Sequence, residues 1–413
     1  MGRAGGPRER GSRMRHSRGT SPTGAGAVVD RPRVLLVHPS AELYGSDRVA
    51  LESVRAFVGA GAQVRAVLTE PGPLGPLLTE AGCQVDVVAS PVLRKAYLSP
   101  PGVIRLLVKT VRCTPVMLGL LRSWRPDVVY VSTMTIPWWL VLARLFGARA
   151  VCHVHEAEEA VPRLVRTGLA MPLLLSHSVV ANSKASAQVL VGAVARLHRR
   201  IEVIYNGVPG PEPVAARPPR AQPDPPVRLV LVGRVSPRKG TDVAVAALAL
   251  LRDRGIVAVL DLVGGVFPGY EWFEAEVRRQ VAAAGLQEQV RWHGVRPDVW
   301  PALAASDIAL VPSRVEPFGN AAVEAMLAWR PVVAGDTQGL REIVSPGRNG
   351  RLAAPGDAEE LASAVAAMVR DWPSALRQAE RAREEAEELF APAGYRRRIA
   401  AAVIPEATVS DHE

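Results

Sequence analysis

Short apolar runs recur along the chain, separated by turns and by helix-length segments. The first, Val34-Leu35-Leu36-Val37 ending at His38, shows no polar alternation, the pattern of a strand buried on both faces of a parallel sheet. Similar runs follow at 64–68, 85–88, 127–132, 149–154, 178–181 and 201–204, and stretches such as 46–59, 99–122 and 183–195 lie between them. This alternation predicts a doubly wound α/β domain over 32–208. Residues 209–226 then contain eight prolines and read as a stiff linker. The alternation resumes at 228–232 and continues at 258–263, 289–292, 307–311 and 331–334, which predicts a second α/β domain over 227–390. Ala/Glu/Arg-rich helical stretches occupy 358–402, with residues 391–413 read as a C-terminal helix and tail. Two such halves place a cleft between them, and ligands of such sheets bind outside the carboxyl ends of the strands.

Composition refines this picture. Of 413 residues 48% are apolar and 22% charged, enough to build more than one core. The net charge of +10 is unevenly placed. Residues 1–31 carry seven arginines against Glu9 and Asp30 and read as a disordered basic tail, with Met14 as an alternative start. Residues 94–125 carry Arg94, Lys95, Arg105, Lys109, Arg112, Arg122 and Arg125 without an acid. These two stretches supply more than the whole excess, so the body is near neutral and general nucleic-acid binding is not expected. Cys83, Cys113 and Cys152 are too few and scattered for a disulfide framework, which favours a reducing, cytoplasmic setting. No apolar run approaches the length of a membrane span, and the N-terminus lacks the apolar core of a secretory signal.

Candidate chemistry follows the strands of the second half. Gly233-Arg234-Val235-Ser236-Pro237-Arg238-Lys239-Gly240 comes directly after a strand. Arg234 offers a planar fork to phosphate oxygens and Lys239 a compact charge, although a solvated turn would have the same spacing. Glu316-Pro317-Phe318-Gly319-Asn320-Ala321-Ala322-Val323-Glu324 follows the run ending at Val311. Gly319 and Asn320 would open a helix whose amides and dipole receive an anion. Glu324, one turn further on, faces the same side and can accept from both hydroxyls of a ribose. Alternatively, the first glutamate merely complements the dipole and the second is solvated.

Taken together, Arg234-x4-Lys239 and Glu316-x7-Glu324 on two α/β halves resemble the retaining glycosyltransferase family 4 (glycosyl transferases group 1) of the GT-B fold. Asp307-Ile308-Ala309-Leu310-Val311-Pro312-Ser313, Tyr205-Asn206-Gly207-Val208, Gly339 with Glu342, and Gly347-Arg348-Asn349-Gly350 extend the likeness. The resemblance implies a nucleoside-diphosphate-sugar donor, with Arg234 and Lys239 on the diphosphate. Gly233, Gly319, Asn320 and Ala321 would approach the phosphates beside Phe318, with Glu324 on the ribose and Glu316 on the sugar. His293-Gly294-Val295 is expected near the base, and Gly45, from a loop that is usually richer in glycine, near the phosphates. Gln338 and Trp329 depart from the family's usual small residues. No Asp-x-Asp motif occurs, so neither a metal ion nor another cofactor is expected. A sugar-nucleotide epimerase of the same fold and a non-catalytic sugar-nucleotide binder are the alternatives.

In the first half, Cys152-His153-Val154-His155-Glu156 ends a strand. Two histidines two apart share a strand face and suggest a metal, but a third ligand is missing. By position the resemblance assigns the donor-facing role to His155 rather than His153. This half would take a glycan or lipid-linked acceptor, as in cell-surface polysaccharide or glycolipid synthesis. Residues 94–125 would form an amphipathic helix at the inner face of an anionic membrane, with Trp124, Trp138 and Trp139 as anchors; the alternative is a solvated surface helix.

Overall fold

The computed structural model describes residues 1–2, 31–93, 99–156, 161–211, 218–266 and 269–405. The expected tail over 1–31, Arg94 and Lys95, linker residues 212–217 and the last eight residues therefore fall wholly or mostly outside the described residues. From Pro32 onward the chain forms one compact unit built on two all-parallel sheets.

The first sheet holds Arg33–His38 (β1), Gln63–Leu68 (β2), Gln84–Val87 (β3), Val128–Val131 (β4), Arg149–Val154 (β5), Ser178–Ala181 (β6) and Ile201–Val203 (β7), in the order β3-β2-β1-β4-β5-β6-β7. The second holds Val227–Val232 (β8), Ala258–Val263 (β9), Val290–Gly294 (β10), Ile308–Val311 (β11), Val332–Gly335 (β12) and Arg351–Ala353 (β13), in the order β10-β9-β8-β11-β12-β13. All but the last, three-residue edge strand correspond to runs read from the sequence. The helices of the first half are Gly45–Gly59 (α1), Leu74–Glu80 (α2), Pro100–Trp124 (α3), Trp138–Leu145 (α4), Arg163–Ala170 (α5) and Lys184–Ala193 (α6). Those of the second are Thr241–Asp253 (α7), Glu271–Ala283 (α8), Trp300–Ala305 (α9), Asn320–Leu327 (α10), Leu340–Ile343 (α11), Ala358–Arg370 (α12) and Trp372–Leu389 (α13), followed by Pro392–Val403 (α14).

Alternation along β1 shows how the layers form. Leu35 and Val37 point to a core with α3, α4 and α6, whereas Val34 and Leu36 point to one with α1, α2 and α14. The last helix therefore does not stay with the half that precedes it. Tyr395, Ile399 and Val403, spaced four apart on one face, bury themselves against α1 and the first sheet. The Tyr395 hydroxyl lies 2.6 Å from Ser53 Oγ, and Arg396 donates to buried Glu52 at 2.6 Å. The second half is layered in the same way, with α7, α8 and α12 on one face and α10 and α13 on the other. The described part of the proline segment is tied to this half: Arg220 pairs with buried Asp307, which also accepts from the Arg228 amide at 2.7 Å.

α3 is amphipathic in an unusual sense. Its C-terminal turns bury Met117, Leu120 and Leu121, but Ile104, Leu107 and Val111 in its N-terminal turns are 60–71% exposed. The tryptophans expected to accompany it at a surface are placed otherwise. Trp139 lies in the core and donates to Ser90 Oγ, Trp138 is half-buried and donates to the Pro91 carbonyl, and Trp124 is half-buried. The cause is local: the Pro137 turn sets α4 with its first residues against the sheet, where the large aromatic surface finds more burial than at the rim. No helix among the described residues is long and apolar enough to cross a membrane.

Candidate active site

The carboxyl ends of β1, β4 and β5 in one sheet and of β8, β9 and β11 in the other open onto one cavity of about 530 Å³. This is the size of a small-molecule or nucleotide site. Both sheets reverse strand order there, at β1/β4 and β8/β11.

The second half supplies the cationic wall. After β8, Gly233 takes a positive φ of 150°, and Gly264 approaches its carbonyl so closely that a Cβ on Gly264 would lie 1.9 Å from the oxygen. Only glycine permits this floor. The turn carries Arg234 and Lys239 back into the cavity. Arg234 sits over the Tyr44 ring with its guanidinium carbon 4.7 Å from the centroid, a cation–π contact across the two halves. Burial and nearby Arg238 lower its proton affinity, opposed by Tyr44, Asp47 and Glu316. Lys239 Nζ donates to Glu316 Oε2 at 2.5 Å, and Ser313 Oγ donates to the same oxygen at 3.1 Å. Burial opposes ionisation of Glu316, but the charges of Lys239 and Arg238 and the two hydrogen bonds outweigh it, leaving its carboxyl below the ordinary range. The diphosphate-facing and sugar-facing groups expected from sequence are thus one charge-assisted pair.

Gly319, at a φ of 128°, precedes the first turn of α10, which presents its free amides to the same space. Phe318 lines the cavity but packs its ring edge-on to Phe390, 5.5 Å away, and so anchors the turn in the core. Asn320 reaches the opposite half: its Nδ2 donates to the Gly45 carbonyl at 3.3 Å and its Oδ1 accepts from Asn206 at 2.9 Å. A Cβ on Gly45 would come within 2.8 Å of that amide nitrogen, so the one glycine carried over in the first loop marks a close approach between halves. Ala321 and Glu324 line the cavity, and burial raises the Glu324 carboxyl, partly offset by Arg48 and Lys239. Arg48 donates to the carbonyls of Leu43 and Pro297, joining the two rims.

His155 lines the cavity from the end of β5, whereas His153 is fully buried and bonds the Tyr130 hydroxyl through Nδ1 at 2.5 Å. Burial, aided by neighbouring His38, pushes the His155 imidazole down to about 3 despite Asp47, so the ring is neutral. The base-side expectation needs correction. Val295 lines the cavity, but His293 and Gly294 do not. His293 Nε2 instead meets Asp261 at 2.6 Å, and Gly294 turns at a φ of 65° while its carbonyl accepts from Gly264. A bulge at this point of β10 moves the cavity wall on to Val295, Arg296 and Pro297.

Several lining residues escaped the sequence reading: His38, Tyr44, Arg48, Ser132, Thr133, Glu156 and Arg238. His38 and Glu156 carried a usable signal, each standing at or just past a strand's carboxyl end. Glu156 accepts from Thr133 and from the His155 amide, and burial raises its carboxyl against these bonds. Glu342 closes the halves elsewhere, accepting from the amides of Lys184 and Ala185 at the start of α6 and from the Tyr205 hydroxyl. No group of three or more His, Cys, Asp or Glu suited to a metal ion occurs among the described residues.

Two doubly wound sheets sharing one cleft, with cations and a helix start on one wall, define the class of GT-B folds. The chain belongs to glycosyltransferase family 4: residues 215–385 match the glycosyl transferases group 1 family, and residues 44–209 match Glycosyltransferase Family 4. It is 31% identical to 2-deoxystreptamine glucosyltransferase from Streptomyces kanamyceticus over 290 residues, 64% of this chain and 73% of that one. It is also 31% identical to glycogen synthase from Mycobacterium tuberculosis over 283 residues, 65% of this chain and 66% of that enzyme. Among solved structures, Anabaena Alr3699/HepE in complex with UDP-glucose has the same fold, with a TM-score of 0.75 and 24% identity, covering 89% of this chain and 98% of that one.

Proposed function

We propose that this protein transfers a sugar from a nucleoside-diphosphate-sugar to a glycan or lipid-linked acceptor with retention of anomeric configuration and without a metal ion. The observation that carries the reading is the convergence of Arg234, Lys239 and the start of α10 on one cavity that Glu316, Glu324 and His155 also line. A diphosphate held there meets two fixed cations and a helix dipole, the charges a departing nucleoside diphosphate needs. Its second oxygen contacts would share the Lys239 ammonium with Glu316, while Glu324 takes the ribose hydroxyls. The acceptor hydroxyl attacks the anomeric carbon from the face that the diphosphate leaves; the carbon–oxygen bond to phosphate breaks, and the hydroxyl proton passes to the leaving phosphate oxygen. A protein nucleophile has no part in that route.

A thermal-shift panel of sugar nucleotides tests the donor. The right one, at 100 times its dissociation constant, raises stability by about 2.7 kcal/mol. A panel in which no nucleotide sugar shifts the melting temperature defeats the reading, and a donor that binds but is neither transferred nor hydrolysed favours a non-catalytic binder.

The acceptor side includes a peripheral membrane contact through α3. The apolar residues exposed there stand beside Arg105, Lys109 and Arg112, and residues 99–125 hold no acid. Basic residues near an anionic bilayer contribute about 1 kcal/mol each. Leu107→Glu with Val111→Glu is therefore expected to reduce co-sedimentation with phosphatidylglycerol vesicles at least about tenfold. Equal sedimentation of variant and parent excludes α3 as the contact.

A further inference from the structure

Behind His155 runs a buried polar chain that the transfer chemistry above does not use. Asp47 Oδ1 lies 2.7 Å from His38 Nε2, His38 Nδ1 lies 3.1 Å from Ser132 Oγ, and Ser132 Oγ lies 3.4 Å from His155 Nε2. His38, Asp47 and Ser132 are each no more than 1% exposed, although His38 and Ser132 reach the cavity wall. They come from the end of β1, the first turn of α1 and the residue after β4, which the strand order β1-β4-β5 sets side by side.

We infer that Asp47, His38 and Ser132 are positioning residues that hold His155 in its Nε2–H tautomer, so that Nδ1 is the acceptor the ring offers to a sugar hydroxyl. The polarity follows from the anchored end. Asp47 Oδ2 accepts from the Tyr44 amide at 2.8 Å, so Oδ1 is the oxygen left for His38, and a carboxylate only accepts. His38 donates from Nε2 to that carboxylate, and the assignment gives its ring this one proton, so Nδ1 accepts. The Ser132 hydroxyl donates its one proton to that nitrogen and turns a lone pair toward His155, which donates from Nε2. A neutral ring carries one N–H, so its other nitrogen is an acceptor. The burial that keeps the His155 ring neutral makes its tautomer matter.

The same logic selects the variant. In Asp47→Asn the amide oxygen is needed by the Tyr44 amide, so the NH2 group faces His38. His38 must then accept at Nε2 and donate from Nδ1, Ser132 reverses, and His155 is left with its proton on Nδ1. The shape of the site hardly changes while the acceptor is lost.

The inference rests on the glycosyl-transfer reading for its kinetic consequence but not for its tautomer. In histidine-selective 15N NMR at pH 8, the parent should show His155 as Nε2–H and Asp47→Asn should show it as Nδ1–H. With the donor found above, Asp47→Asn and Ser132→Ala should each lower kcat about 100-fold, with donor affinity changed less than about threefold, and Ser132→Thr should restore most of the rate. A parent His155 protonated on Nδ1, or a tautomer and kcat indifferent to both Asp47→Asn and Ser132→Ala, overturns the assignment. Should Asp47→Asn fail to fold, Ser132→Ala alone decides the matter, since it cuts the chain and leaves the α1 turn intact. If the tautomer responds as expected but no nucleotide sugar is transferred by the parent, the functional reading fails and the relay stands.

Discussion

On the proposed diphosphate role, Lys239→Ala is expected to lower sugar transfer by about 10³-fold in kcat, because a fixed group aimed at developing negative charge is typically worth 10²–10³. The residue also has a structural side. Its ammonium is the charged partner of Glu316, and the two side chains are only 15% and 9% exposed. Removing one member of a buried pair strands the other, so the single variant should lose about 3 kcal/mol of stability as well. The double variant Lys239→Ala/Glu316→Gln separates the effects. It removes the stranded charge, so its stability should return close to that of the parent, while transfer stays low because the diphosphate still lacks its cation. Steady-state kinetics with chemical denaturation on all three proteins makes the comparison. Transfer or donor hydrolysis that survives Lys239→Ala unchanged removes Lys239 from the diphosphate site.

Gly264→Ala is the second large effect. The added methyl would be placed 1.9 Å from the Gly233 carbonyl oxygen, at a φ of 152° that L-residues rarely adopt. Neither partner is a flexible side chain that can step aside. Relief requires β8 and β9 to part at their carboxyl ends, where the Gly233 amide bonds the Val263 carbonyl. The cost is expected to be about 3 kcal/mol or more, combining backbone strain with a lost ladder bond. For a half of this size that lowers the melting temperature by roughly 6–12 °C. The turn bearing Arg234 and Lys239 moves with Gly233, so donor binding should fall with stability. Gly255→Ala is the control: it has a positive φ of 76° but nothing within 4 Å of the added carbon, so it should be milder. Equal melting temperatures for the Gly264 and Gly255 variants contradict the close-approach account.

Much of the site was legible because its parts are close in sequence. Arg234 and Lys239 share one turn after β8, and Glu316 and Glu324 flank one helix start; spacing put them at strand ends, and the family resemblance singled them out from solvated residues of the same spacing. The partnership of Lys239 with Glu316 was not visible, because it depends on β11 lying beside β8. His293 misled for a local reason: it stands near a strand end, but the bulge before Gly294 turns it to Asp261. The relay behind His155 was not visible as a unit: His38 stands at a strand end, but it and its partner Ser132 are separated by 94 positions. The departure of α14 from the half that precedes it was equally hidden, since Tyr395, Ile399 and Val403 announce a buried face without naming the surface that buries it.

Periodicity alone thus settled that this chain makes two parallel α/β halves, where nearly every strand lies, and which loops carry its cations and acids. These follow from local physics: the repeat of side-chain direction in strands and helices, and the turn chemistry at their ends. Folding in three dimensions settled who meets whom. Strand order brought Asp47, His38, Ser132 and His155 into line, packing sent α14 across to the first half, and Asn320, Arg48 and Glu342 found partners on the opposite wall. Hydrogen bonds and ion pairs between remote elements are governed by distance in space, and the spacing of residues along a chain carries no measure of that distance.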